Sequence, residues 1–237
     1  VAASFGQASL FADENGEDER IVNWTKAERW DDRKLYTLER DAFGFCLTGD
    51  MFDPYRVEAR NFAVPFKDVR DSREQQTIAG IVQSVRTITG KRGNFGVVVL
   101  SDGQTTMDVL VFSRAYDSYK QMLKADEMLI FVGKGRKDER SGGMSFVCDE
   151  VLTIEQMRVR KGATLMLELT EGKGVKTLVE VLQAGQNNEI GGVSCEVSIR
   201  SNGVKAEMYL KNGYIPSDQL LNQLRNSDSV ASAKFVY

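Results

Sequence analysis

From about residue 75 the chain changes period, and that change constrains the fold more than any other feature. Before it, apolar residues recur at helical spacing; after it, they alternate or run in short apolar blocks bounded by turn residues. TIAGIVQSVRTIT and NFGVVVLSD read as strands, and TTMDVLVF as a third after Asp102-Gly103, which predicts a tight hairpin. SRAYDSYKQMLKAD reads as a helix of about three turns. EMLIFVGKGRKDE and GMSFVCDEVLTI are two more strands, joined at Gly142-Gly143. Three strands, a helix and two strands within about 80 residues is the order of an OB-fold, a small, partly open Greek-key barrel. Gly80 and Gly96 suit points where so small a barrel coils sharply. Another small β-barrel is the alternative that pattern alone leaves open.

The flanks complete the expected architecture. Residues 1–22 are small and acidic without an apolar period, which predicts a weakly ordered tail. Residues 23–74 form a helical linker region: a helix over roughly 25–47 carries Trp30, Leu35, Leu38, Ala42 and Cys46 at helical spacing. TGD breaks it, and a second short helix begins at Asp53 with Pro54 at its first position. Residues 75–157 are the barrel. Residues 158–237 read strand, helix, a hairpin around Asn202-Gly203, a helix started by Ser217 or Asp218, and a last strand ASAKFVY. The predicted class is mostly β and α+β: an OB-fold five-stranded barrel, a helical linker before it, and a small β-α-β-β-α-β domain after it.

Composition narrows the function. The chain has no His, which removes the commonest general base and metal ligand, and no convergent set of carboxylate, Lys or Tyr groups replaces it. No catalytic residue and no metal or cofactor site is predicted in this piece. Three cysteines, far apart and odd in number, argue for a reducing, cytoplasmic setting and against a disulfide framework or a CxxC zinc site. No run of about 18 apolar residues is present, so no membrane helix is expected. The start VAASFGQASLF lacks a signal peptide's basic and apolar regions, and lacks Met; a fragment of a longer chain, or a processed one, is expected.

A net charge of −3 argues against wholesale wrapping of nucleic acid, but local charge decides where a polyanion sits. Arg86 precedes the loop TGKRGNFG, Lys91 and Arg92 sit at its tip, and Phe95 closes it. Lys134, Arg136 and Lys137 sit where the fourth strand runs into its hairpin. Single strands are held by a basic groove along the phosphates and by aromatic faces on which bases stack. The plain alternative is solvated cations and a core Phe95. Asp138 and Glu139 beside the second group imply modest, salt-sensitive binding.

In the tail, Gln7, Leu10 and Phe11 make a short hook: two apolar anchors and one oriented amide, with packing onto the chain's own domain as the alternative. Leu220, Leu221 and Leu224 lie on the last helix, while Phe235 and Tyr237 alternate onto one face of the last strand. Core is the default for them, and a partner surface at a sheet edge is the alternative.

Several runs are similar to a known family. ERDAFGFCLTGDMFDPY resembles the E-R-x-x-L-G-F-Y-L-T-G-H-P segment of the alpha subunit of bacterial DNA polymerase III. TIAGIVQSVRTITGKRGNFGVVVLSDGQTTMDVLVF, SGGMSFVCDEVLTIEQMR and the closing IPSDQLLNQLRNSDSVASAKFVY resemble it too. The likeness runs nearly the length of the chain, with departures at Asp50-Met51, where the family has His-Pro, and at Cys46, where it has an aromatic.

The resemblance implies a C-terminal region of a DNA-directed DNA polymerase, a nucleotidyltransferase whose metal-holding aspartates and magnesium ions lie upstream. It implies that Gln7, Leu10 and Phe11 grip the beta sliding clamp, that the barrel binds single-stranded template DNA, and that the last domain meets the tau subunit of the clamp loader. Leu220, Leu224, Phe235 and Tyr237 are the residues assigned to tau. The rivals are a stand-alone single-strand-binding adaptor and an OB-fold accessory region of another nucleic-acid enzyme. Weak strand binding with clamp affinity separates the polymerase reading from the adaptor.

Overall fold

Asp31 starts the first helix by accepting the Lys34 N–H at 2.8 Å, the capping role that a short acidic side chain favours. The helix, α1 (Asp32–Phe43), stops at Gly44, whose φ of 82° is left-handed and whose N–H returns to the Arg40 carbonyl. Spacing had extended it to residue 47; the glycine ends it sooner, and Trp30 and Cys46 lie outside it. The turn after it is held by Glu39, which accepts the Leu47 N–H at 2.7 Å and the Thr48 hydroxyl at 2.8 Å. The second helix, α2 (Asp53–Ala59), begins where expected.

The computed structural model describes residues 30–90, 93–137, 142–170, 175–186, 192–201 and 204–237. The tail residues 1–29, with Gln7, Leu10 and Phe11, lie outside the described residues, as do Lys91 and Arg92.

Five strands close the barrel: β1 (Gln76–Gly90), β2 (Gly93–Ser101), β3 (Thr106–Val111), β4 (Met128–Lys137) and β5 (Met144–Thr153), in the order β1-β2-β3-β5-β4. Every neighbouring pair is antiparallel except β3 with β5. The connection through α3 (Ser113–Tyr119) carries the chain across to β4 and makes that one parallel pair. The expected OB-fold forms. The interior is apolar, with Ile78, Val98, Val109, Phe131 and Phe146 fully buried. Gly96 is needed because a Cβ there would stand 2.8 Å from the Tyr116 ring of α3. The turn at Asp102-Gly103 is four residues long, since Ser101 pairs with Thr106, and Asp102 braces it by accepting the Gln104 and Thr105 N–H groups.

Strand β1 has two halves with different surroundings. Ile78–Val82 are buried on both faces, because α1, α2 and the segment between them pack Tyr36, Met51, Phe52 and Tyr55 against Ala79 and Ile81. This is why IAGIV reads as a continuous apolar run rather than an alternating one. Beyond Val82 a bulge shifts the register, and Ser84–Gly90 pair with β2 alone among the described strands.

A helix absent from the sequence reading, α4 (Ile154–Arg160), links the barrel to the last domain, and its first residue, Ile154, falls in the run assigned to the fifth strand. Thr153 and Gln156 form its capping box. The domain follows the expected order: β6 (Thr164–Leu169), α5 (Val175–Ala184), β7 (Val193–Ser201), β8 (Val204–Tyr214), α6 (Asp218–Arg225) and β9 (Val230–Val236). Its sheet runs β8-β7-β6-β9, with β6 and β7 parallel and the rest antiparallel.

One side chain ties linker, α4 and last domain together. Arg158, 1% exposed, donates twice to the Glu58 carboxylate of α2 at 2.7 Å. It also reaches the Pro216 carbonyl at 2.7 Å and the Asp218 carboxylate at 2.8 Å, and lies 4.3 Å from the Phe235 ring centre. Burial opposes its charge, but Glu58 and Asp218 outweigh burial and hold its pKa above the usual arginine value. Tyr55 donates to Asp218 and Tyr237 to Glu58, so both carboxylates are fully engaged.

Candidate nucleic-acid interface

The barrel's outward-facing residues can be read across the strands from their register. Arg86 on β1 opposes Val97 on β2, Val97 opposes Leu110 on β3, Leu110 opposes Val147 on β5, and Val147 opposes Lys134 on β4. At about 4.8 Å per strand, this row is about 19 Å long. Its ends are exposed cations and its middle is three aliphatic side chains without a hydrogen-bonding group, Leu110 and Val147 half-buried and Val97 buried. The neighbouring outward row is Ser84, Val99, Asp108, Ser145 and Arg136. The rows between them, including Val85, Val98, Val109 and Phe146, face the interior.

On the other side of the central row stands an aromatic pair. Phe95 opposes Ile88, placing it on the outward face, and it is half-buried rather than part of the core. Its ring lies 5.6 Å from that of Phe112, which is 44% exposed. Phe112 was missing from the candidates; the alternation Asp108, Leu110, Phe112 in TTMDVLVF already placed it on the outward face.

The register thus gives Arg86, Phe95, Lys134 and Arg136 outward positions, and the row joining Arg86 to Lys134 crosses all five strands and curves around the closed barrel. Lys137 opposes Met144 and lies on the alternate face of β4 from Lys134 and Arg136, so it does not join them. In the last domain, the expectation of a partner face at Leu220 and Leu224 is corrected. Leu220 is nearly and Leu224 fully buried, because α6 turns that stripe onto the sheet. Phe235 lies under Arg158, and Tyr237 is bonded to Glu58 with its ring 5.9 Å from that of Phe62. Among the described residues, no group of three or more His, Cys, Asp or Glu side chains could hold a metal ion. No helix among them is long and apolar enough to cross a membrane.

The class of the barrel follows: residues 76–154 match the family described as the OB-fold nucleic acid binding domain. The particular relatives are DNA polymerase III alpha subunits, which are homologues of this chain. That of Escherichia coli strain K12 is 30% identical over 234 residues, covering 94% of this chain. That of Neisseria meningitidis serogroup B is 28% identical over 229 residues, again covering 94% of this chain. The resemblance read from the motifs is therefore shown across nearly the whole sequence. The chain spans 20% of the length of both relatives. Among solved structures, a replication protein A heterotrimer bound to single-stranded DNA matches 62% of this chain and 41% of its own, at 11% identity and a TM-score of 0.33.

Proposed function

We propose that this chain is the part of a replicative DNA polymerase III alpha subunit that holds the enzyme on its substrate, and that its barrel carries single-stranded template across the outer face. The observation that carries the reading is the row from Arg86 to Lys134: cations at both ends for phosphates, and an apolar floor that reads no base edge. Phe95 beside it supplies a surface on which a base stacks. A replicative enzyme must hold every sequence alike, and a floor of Val97, Leu110 and Val147 is suited to that.

The remaining contacts are tethers. Gln7, Leu10 and Phe11 bind the beta sliding clamp, and the last domain meets the tau subunit through a surface other than the buried Leu220 and Leu224. Several weak contacts on one chain raise effective concentration at the primer end more than any of them alone. Nucleotide addition, with magnesium, belongs to residues of the parent polymerase upstream of this region, in the cytoplasm.

Anisotropy of a labelled oligonucleotide tests the face. The chain binds the single strand more tightly than the duplex, and Phe95→Ala loses about 1–3 kcal/mol of that binding. Equal affinity for duplex, or an unchanged Phe95→Ala, overturns the assignment. Calorimetric titration into sliding clamp tests the hook: binding disappears when Leu10 and Phe11 are both changed to Ala, and persists unchanged if the grip lies elsewhere.

A further inference from the structure

A cavity of about 360 Å³ opens between α3 and β5, beside the outward row. Phe112, Ala115, Tyr119 and Val147 line it, with Arg114 and Asp149 exposed at its rim. It is continuous with the candidate face in two ways: Val147 is a member of the central row, and Phe112 is the partner of Phe95. Its size is that of a small-molecule site, roughly 300–1,000 Å³. Both rim charges, the Arg114 guanidinium and the Asp149 carboxylate, stand at the mouth of the cavity on exposed residues.

We propose that this cavity takes one unstacked nucleobase from a strand crossing the outer face, an inference that rests on the single-strand reading above. The lining decides what enters. Two aromatic rings, a valine and an alanine reward an apolar planar group, and the Asp149 carboxylate repels phosphate from the same opening. Arg114, on the helix side of the mouth, then meets the phosphate that stays outside. A base entering here leaves the stack of its neighbours, so the strand turns where it passes Phe112. Asp149, at the irregularity where β5 shifts register against β4, and Phe112, the residue that caps α3 after β3, both reach this cavity beside the outward pair Leu110 and Val147.

The test compares a short oligonucleotide with a strand of equal length whose nucleotides all lack bases, each titrated into the methyl-labelled chain and followed by NMR. The Val97 and Leu110 methyls report the face; the Ala115 methyl and the Tyr119 ring report the cavity. Both sets shift with the normal strand, and only the cavity signals stay still with the abasic strand if it binds through its phosphates alone along the row. Phe112→Ala weakens the normal strand about tenfold and the abasic strand not at all. Shifts at Val97 and Leu110 with Ala115 and Tyr119 unmoved by the normal strand overturn the cavity and leave the face standing. No shift at either set overturns both.

Discussion

Arg158 is a full charge almost wholly removed from water, and its neighbours explain why it is tolerated. Two carboxylates, a carbonyl and an aromatic face replace its hydration. Arg158→Ala leaves Glu58 and Asp218 facing each other with their common cation gone. Urea unfolding of that variant is expected to show a loss of about 3–5 kcal/mol. A loss under about 1 kcal/mol would mean the cluster holds nothing.

Glu39 gives a pH prediction at the same scale. Burial pushes its carboxyl upward, but the Thr48 N–H and hydroxyl and the Leu47 N–H outweigh this and hold its pKa below the usual value. A group lowered on folding stabilises the fold above its unfolded pKa, near 4.3, and loses that contribution as pH falls through its folded value. Protection of the Leu47 and Thr48 amides, taken relative to their intrinsic exchange rates, should therefore fall in acid, and Glu39→Gln should flatten that dependence. Burial also raises the Cys148 and Cys195 thiols to about 12. Both should resist alkylation of the folded chain at pH 8, while the partly exposed Cys46 reacts first.

At the scale of elements, β4 and β5 meet at a place where only glycine fits. A Cβ on Gly133 would lie 2.0 Å from the Val147 carbonyl oxygen and 2.9 Å from the Phe146 ring. Gly133→Ala forces the strands apart and should cost about 1–3 kcal/mol, read as a lowered melting temperature. An unchanged melting temperature would contradict the closeness of that pairing.

Alternation in some strands, and short apolar blocks bounded by turns in β1 and β4, made all five barrel strands legible in the sequence, and the same patterning showed the β-α-β-β-α-β order of the last domain. What it did not show were helix ends. The third helix was expected to run three turns, but it closes at Tyr119 because Leu123 turns back into the barrel core through a tightened turn, with Met122 N–H bonded to the Tyr119 carbonyl. The fourth was hidden because Ile154 continues the apolar run of β5, although Thr153 and Gln156 already spelled its capping box. Of the candidate face, Arg86, Phe95, Lys134 and Arg136 were legible as basic and aromatic residues near strand ends. Phe112 was equally legible from the alternation Asp108, Leu110, Phe112, but what it meets, the Phe95 ring across the β2–β3 pairing, was not.

Over the whole molecule the charge is slightly negative, so any attraction for a polyanion has to come from where the cations stand rather than how many there are. The register places Arg86 at one end of the row and Lys134 at the other, with Arg136 ending the neighbouring row, on strands that meet only through the closure of the barrel. The account's central claim is that a single strand runs between those ends. The most direct measurement is the affinity of a labelled single strand as a function of salt, for the chain and for Arg86→Ala combined with Lys134→Ala. Each phosphate contact contributes about −0.7 to the slope of log K against log salt, so losing two should flatten the slope by about 1.4. A slope and affinity unchanged by the double substitution would contradict the claim and move the strand to another surface.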